Sequence, residues 1–142
     1  MTRSELVIEM FVKTSRLFHP QVSLWHGSKG DIFFLDFLEK QDGAVLPSEI
    51  STAMKLSAAR VAMVLRVLEG KGWIERNTDP ADRRKVLVTI TPKGRETIKE
   101  LRKKAFENTE KLIEAVGEED IKEYIRIVDR IIKAAEKIDF DR

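Results

Sequence analysis

The sequence predicts a mainly α-helical fold with one small β-hairpin, and three observations support this. Between Ser57 and Gly70, four aliphatic side chains recur at the i, i+3, i+4, i+7 spacing of one helix face. In residues 73–76 and again in residues 86–90 the sequence pattern changes from the period of a helix to the two-residue period of a strand, which indicates two short strands. Thr91-Pro92 restarts a helix, as N-cap and first helical residue. The four aliphatic side chains are Val61, Val64, Leu65 and Leu68.

Composition limits the class of protein. A chain of 142 residues with 42% hydrophobic side chains can bury one core, so we predict a single domain. No run reaches the ~18 apolar residues of a membrane span, and the amino terminus lacks the pattern of a signal peptide, which predicts a cytoplasmic protein. The absence of cysteine excludes disulfides and thiolate metal sites, and no motif implies a cofactor.

The positive charge is concentrated in one segment. Residues 48–95 carry ten basic and five acidic side chains, a balance of +5. Residues 1–47 have five basic and six acidic side chains, and residues 96–142 have eleven and thirteen. An anionic partner is therefore expected to bind the middle of the chain.

Two helices are predicted before this segment. The first covers residues 4–18 with a broad buried face, and His19-Pro20 ends it because the residue before proline avoids helical dihedrals. Ser28 is the predicted N-cap of a helix over residues 29–40 that has Asp31 in its first turn and lies deep in the domain. The apolar residues are Leu6, Val7, Met10, Phe11, Leu17 and Phe18 in the first helix, and Ile32, Phe33, Leu35, Phe37 and Leu38 in the second.

A helix-turn-helix is predicted next. Residues 44–46 suit a short strand beside the hairpin, Pro47 begins a helix that ends near Met54, and Lys55-Leu56 forms a tight turn before the helix capped by Ser57. The inward residues of the first of these helices are Ile50, Ala53 and Met54. The second presents Ala59, Ala62, Met63 and Arg66 outward, with Arg60 on the flank.

The hairpin between the two strands has a long polar loop over residues 77–85. It starts with turn-forming residues and ends with Arg83, Arg84 and Lys85. A helix with a small, basic outer face followed by a cationic hairpin is the arrangement of a winged helix-turn-helix that binds DNA.

After Pro92 the sequence predicts two long helices, separated near Gly117. Their apolar residues recur at a period near 3.5, which indicates a partner helix. We therefore predict a homodimer in which the amino-terminal helix and these two helices interleave across a two-fold axis. The apolar positions are Ile98, Leu101, Ala105, Leu112 and Val116, then Ile121, Ile125, Val128, Ile131, Ala135 and Ile138.

Residues 79–94, DPADRRKVLVTITPKG, resemble the wing signature of the MarR family of transcriptional regulators, and residues 68–76, LEGKGWIER, are similar to the family's passage from recognition helix to wing. The resemblance covers nearly the whole chain. It implies that residues 57–70 lie in the major groove and that Arg84 reaches the minor groove, held by Asp82. It also implies a dimer with a cleft for small aromatic anions.

The chain departs from the family pattern at two places. Ala62 and Met63 stand where relatives usually carry a polar and basic pair, and Pro47 replaces a hydroxyl cap. Few hydrogen bonds to base edges are expected, so the wing and DNA shape should supply more of the specificity.

The predicted function is a homodimeric repressor that binds a pseudo-palindromic operator and is released by a small aromatic anion. Residues 28–94 form the winged helix-turn-helix, and residues 1–27 and 95–142 form the dimerisation helices. The predicted DNA-binding residues are Ser48, Ser57, Ala59, Arg60, Ala62, Met63, Arg66, Asp82, Arg83, Arg84 and Lys85. Arg16, His19, Trp25 and Phe33 are the candidate ligand-binding residues.

Several alternatives stay open. Trp25 and Phe33 could belong to the core with both histidines on the surface, and Met63 and Val67 could pack inside the domain. The cations of the loop and of the helix could be ordinary surface charges. The apolar Ala62-Met63 pair suggests a protein-interaction module that no longer binds DNA. No catalytic motif or convincing metal site is present, so an enzyme is not expected.

Overall fold

The computed structural model describes residues 1–17 and 31–140. These residues form a mainly helical protein with one antiparallel hairpin, which confirms the predicted fold class. Two compact units are present, residues 1–105 and residues 106–142. The elements are α1 (Arg3–Leu17), α2 (Asp31–Glu39), α3 (Pro47–Met54), α4 (Ala58–Gly70), β1 (Ile74–Thr78), β2 (Val86–Ile90), α5 (Pro92–Val116) and α6 (Glu118–Ala135).

The core of the first unit is made by α2, α3, α4, the hairpin and the start of α5. The predicted aliphatic stripe of α4 is confirmed, since its four side chains are between 0% and 6% exposed. Because that stripe is buried, the opposite face of α4 must point to solvent. The buried residues are Ile32, Phe34, Leu35, Leu38, Val45, Ile50, Val61, Val64, Leu65, Leu68, Ile74, Val88 and Ile98.

The hairpin pairs Ile74 with Ile90 at one end and Thr78 with Val86 at the other. The expected strand beside it is a single bridge, in which Val45 and Val88 exchange backbone hydrogen bonds of 2.9 and 2.8 Å. The predicted end of the first strand was wrong, because Asn77 and Thr78 are paired and do not belong to the loop. The polar side chains at these two positions suggested a loop. The backbone of the partner strand supplies their hydrogen bonds, so polar residues are compatible with a strand there.

The start of α5 is fixed against the hairpin. Thr91 is its N-cap, as predicted: its hydroxyl accepts from the Gly94 N–H (3.0 Å) and donates to the Gly72 carbonyl (2.7 Å). Gly94 is buried, and a Cβ built on it would lie 2.1 Å from the carbonyl oxygen of Trp73. Only glycine permits this approach of helix and backbone.

Charged side chains join α5 to α2 within the first unit. The Arg102 guanidinium donates to Asp36, with 2.9 Å from Nε to Oδ1, and to Glu39 Oε2 at 2.8 Å. Lys40 also donates to Asp36 (2.9 Å). Burial raises the pKa of Asp36, but the hydrogen bonds from Lys40 and Arg102 outweigh it and leave that pKa below its ordinary value.

Three predictions of burial were wrong for the single chain. The apolar residues of α1 are exposed, for example Leu6 (57%) and Phe11 (74%). Phe33 is 54% exposed because it lies on the side of α2 opposite the stripe formed by Phe34, Leu35 and Leu38. Ala53 is exposed, whereas Ile50 is buried and Met54 packs on the core.

Candidate nucleic-acid interface

The outer face of α4 is small and positively charged. Ala59, Ala62, Arg60 and Arg66 are all exposed, and Met63 is 48% exposed, so Met63 is not part of the buried core of this chain. Among the residues that the structure describes, neither arginine has an ion-pair partner. Both guanidinium groups can therefore bind an anion from outside.

The amino-terminal end of α4 is capped as predicted. The Ser57 hydroxyl oxygen accepts a hydrogen bond from the Arg60 backbone N–H at 3.1 Å. That bond leaves the hydroxyl hydrogen able to donate to a phosphate. The backbone N–H groups of the first turn and the helix dipole add to the positive potential there.

The turn before α4 is set by local geometry. Lys55 adopts a left-handed conformation (φ 54°), and the Ser51 hydroxyl donates to the Leu56 carbonyl, so α3 ends and α4 begins within three residues. Pro47 begins α3 as predicted, and the Leu46 N–H finds its acceptor in the Glu49 carboxylate at 3.1 Å. Ser48 is exposed in the first turn of α3.

The wing loop has its own hydrogen-bonded structure. The Asp79 N–H donates to the Lys85 carbonyl and the Lys85 N–H to the Asp82 carbonyl, both at 2.9 Å. The Asp79 carboxylate accepts from the Ala81 N–H at 2.9 Å. The loop therefore holds its basic end in a defined position at the tip of the hairpin.

The predicted pairing of Asp82 with Arg84 is present. Asp82 Oδ1 accepts from the Arg84 backbone N–H at 3.1 Å and from Arg84 Nε at 3.2 Å. The side-chain hydrogen bond from Arg84 lowers the pKa of Asp82. The Arg84 side chain is still 92% exposed, so one edge is oriented by the carboxylate while the other is open to an anion. Arg83 and Lys85 are exposed beside it.

Two other basic residues of this segment are held by the fold. Arg76 on β1 donates two hydrogen bonds of 2.9 Å to the carboxylate of Glu69 on α4. Lys71 donates to Asp31 at 2.9 Å and lies 4.6 Å from the centre of the Trp73 ring. Neither pair was predicted from the sequence. For Glu69 and Arg76 the available signal was their opposite charges on either side of the turn between α4 and β1. Lys71 and Asp31 are 40 positions apart and gave no such signal.

The candidate ligand-binding residues are only partly described. Arg16 on α1 and Phe33 on α2 are exposed, and His19 and Trp25 lie outside the described residues. In the described ranges, no group of three or more histidines and carboxylates could hold a metal ion. No described helix is long and apolar enough to span a membrane.

Comparison with known proteins gives a consistent result. Residues 31–85 match the model of the MarR family. The transcriptional repressor MprA of Escherichia coli is 37% identical over 65 residues, which are 45% of this chain and 37% of MprA. The regulator BilQ of Clostridium symbiosum is 25% identical over 77% of this chain and 75% of its own length. This chain therefore spans little more than a third of MprA.

The fold is also shared with solved structures. The PcaV transcriptional regulator of Streptomyces coelicolor superposes with a TM-score of 0.74 over 97% of this chain and all of its own, at 17% identity. The YusO protein of Bacillus subtilis gives a TM-score of 0.67 over 94% of this chain and 99% of its own, at 20% identity.

Proposed function

This chain belongs to the MarR family, and from that premise we propose that it is a sequence-specific DNA-binding repressor. One observation supports this most. A single compact unit carries both the exposed face of α4, whose two arginines have no ion-pair partner among the described residues, and an ordered wing whose arginine is 92% exposed. These are the two parts that bind the major groove and the adjacent backbone or minor groove in winged proteins. The name of MprA, a transcriptional repressor, agrees with this function.

The repressor acts in the cytoplasm as a homodimer on a pseudo-palindromic operator. The exposed apolar residues of α1, of the end of α5 and of α6 support the dimer, because faces of this kind are stable only when covered. Two recognition helices related by a two-fold axis would enter major grooves ~34 Å apart, about 10 base pairs. The division into residues 28–94 for DNA binding and the flanks for dimerisation is part of this proposal.

Selection of bound sequences from random DNA tests the proposal directly. We expect an inverted repeat with half-sites about 10 base pairs apart. Binding to the selected DNA should weaken steeply with salt, with a log-log slope of about −0.9 for each phosphate neutralised. Failure to enrich any sequence, or an affinity that is flat between low and moderate salt, would refute it.

DNA binding by the Arg84→Ala variant tests where the interface lies. We expect weaker binding and a salt slope lower by about one unit for each phosphate contact removed. Arg126→Ala is the matched control, since Arg126 lies on α6 beside Glu123 and outside the proposed interface. An equal loss of binding in both variants would contradict the assigned position of the interface.

The exposed apolar side chains of α4, Met63 and Val67 at 48% and 44%, favour one competing function, a protein-interaction module. Heparin chromatography followed by a gel-shift assay with the DNA upstream of the gene distinguishes the two. Retention on heparin and a discrete shifted band favour the repressor. Absence of both favours the interaction module.

The family resemblance implies an effector, and we place this small aromatic anion near Arg16 and Phe33. Arg16 supplies a cation and Phe33 an exposed ring, which suit such a ligand. A panel of salicylate-like anions should raise the melting temperature and release DNA. An unchanged melting temperature and undisturbed DNA binding across the panel would contradict this role.

A further inference from the structure

The middle of the outer face of α4 offers no hydrogen-bond donor. Ala59, Ala62, Met63 and Arg66 follow one another at i, i+3, i+4 and i+7, so they form one stripe on the exposed side. The three residues nearer the start of the helix end in methyl groups, and Arg66 at the far end is the only one with a polar side chain. Of the side chains in this stripe, only Arg66 can donate a hydrogen bond, and the other three make apolar contacts.

The orientation of this stripe is fixed by the core. Val61, Leu65 and Leu68 on the opposite side are 0–1% exposed, and rotating α4 would expose them to water. The cap at Ser57 and the Glu69–Arg76 pair hold the two ends of the helix. The methyl groups are thus presented outward at the same place in every molecule.

We propose that Met63, with Ala59 and Ala62, recognises the 5-methyl groups of thymine in the major groove, so that each half-site has thymine opposite the middle of α4. This rests on the proposed DNA-binding function and specifies its base preference. Thymine alone presents a carbon group in the major groove. Met63 placed over guanine or cytosine would strip water from O6, N7 or N4 and leave those atoms without a partner.

The dimensions agree with a short half-site. Ala59 and Arg66 are seven residues apart, or about 10.5 Å along the helix at 1.5 Å per residue. At ~3.4 Å per base pair this covers about three pairs. Arg66 at the end of the stripe and Arg60 beside it donate to guanine or to phosphates next to the thymines.

The experiment uses the full chain and a half-site chosen by selection from random DNA. Each thymine in the central three pairs is replaced by deoxyuridine, which removes the 5-methyl group and keeps all hydrogen-bonding atoms. We expect the Kd to rise about fourfold for each contacted methyl group, and about sixteenfold when both half-sites are changed.

Variants of Met63 assign the contact to one side chain. Met63→Ala should bind thymine and deoxyuridine equally well at the position that Met63 faces. Met63→Gln should change the selected base there from thymine to adenine, because glutamine pairs with adenine N6 and N7. Arg84→Ala is the matched control, and it should weaken binding to both DNAs by the same factor.

The outcomes separate this inference from the proposed function. Selected half-sites without central thymine, or a Kd that deoxyuridine leaves unchanged while a discrete complex still forms, overturn the inference alone. Failure of the wild-type chain to bind any DNA overturns the proposed function and the inference with it. Sensitivity to deoxyuridine that persists in Met63→Ala shows that Met63 is not the contact and also overturns the assignment.

Discussion

Two amphipathic helices of this protein, α4 and α6, have very different surroundings. The apolar stripe of α4 is between 0% and 6% exposed. In α6 none of the residues is buried, and Ile125 and Ile132 are 59% and 52% exposed. Both helices have the sequence pattern of a helix with one covered face, yet only α4 is covered within its own chain.

The difference teaches where each helix gets its stability. The stripe of α4 packs on residues of α3 and of the hairpin, so folding of one chain buries it. Full burial of an isoleucine contributes about 1.5–3 kcal/mol, so each of these half-exposed side chains forgoes roughly half of that. The apolar face of α6 therefore contributes its full stabilisation only when a second surface covers it.

The largest expected effect comes from truncating the covered helix. Leu65→Ala should lower the free energy of unfolding by about 2–5 kcal/mol, because Leu65 is 1% exposed and a cavity would remain. The matched change on the other helix, Ile125→Ala, should cost little in dilute protein. Urea unfolding of both variants measures the contrast.

Protein concentration sharpens this contrast. If a second copy covers α6, the melting temperature of Ile125→Ala should fall below that of the wild type only at concentrations where the chain is dimeric. A large loss for Ile125→Ala that is the same at every concentration would break the comparison, since it would mean that its own chain covers the helix.

A smaller effect is expected at the close contact between α5 and the hairpin. Gly94→Ala should destabilise the protein by about 1–3 kcal/mol, because the new Cβ must displace the Trp73 carbonyl. Gly70→Ala is the control, since nothing lies within 4 Å of a Cβ there. Thermal unfolding should show a lower Tm for the first variant and no loss for the second.

The smallest effect concerns the ion pairs. Arg102→Met should lower stability by about 1 kcal/mol at neutral pH, a modest value because all three partners are about one third exposed. Arg126→Met removes an exposed pair on α6 and should leave stability unchanged. Urea titrations of the two variants at pH 7 measure the difference.

The pH dependence of the Arg102 effect has a defined sign. Hydrogen bonding to Arg102 lowers the pKa of Glu39, and Lys40 and Arg102 lower that of Asp36 against the opposing effect of burial. Lowered carboxyl pKa values stabilise the fold above the ordinary values of 4.5 and 3.8, and this stabilisation is lost as the pH falls through the lowered ones. The gap between wild type and Arg102→Met should therefore begin to narrow as the pH falls below 4.5, and it should close once the pH is below both lowered pKa values. A gap that persists in acid would contradict this role of the two carboxylates.

Local signals predicted the best-defined parts of the fold. Ser57 and Thr91 cap α4 and α5 as expected, and Pro47 begins α3, because caps and prolines act on residues within one turn. The Asp82–Arg84 pair could be predicted for the same reason, since the two residues are two positions apart. The assignment of all the candidate residues, these included, to DNA stays a prediction.

Contacts between distant residues could not be predicted in this way. Arg102 pairs with Asp36 and Glu39, which precede it in the sequence by 66 and 63 positions. A glycine is required at position 94 only because the Trp73 carbonyl lies against it. The exposure of Phe33 depends on which side of α2 meets the core. Periodicity shows that a helix has an apolar face but not which neighbour covers it.

The sequence by itself determined the order of the helices and strands, the caps and the apolar face of each helix, since these depend on residues within a turn or two of one another. Only the tertiary structure decided which faces are buried within the chain, that Arg76 and Lys71 serve the fold, and that the Arg84 side chain stays open to solvent beside Asp82. The physical reason is that burial and ion pairing depend on distances between segments far apart in the chain, which no local pattern encodes.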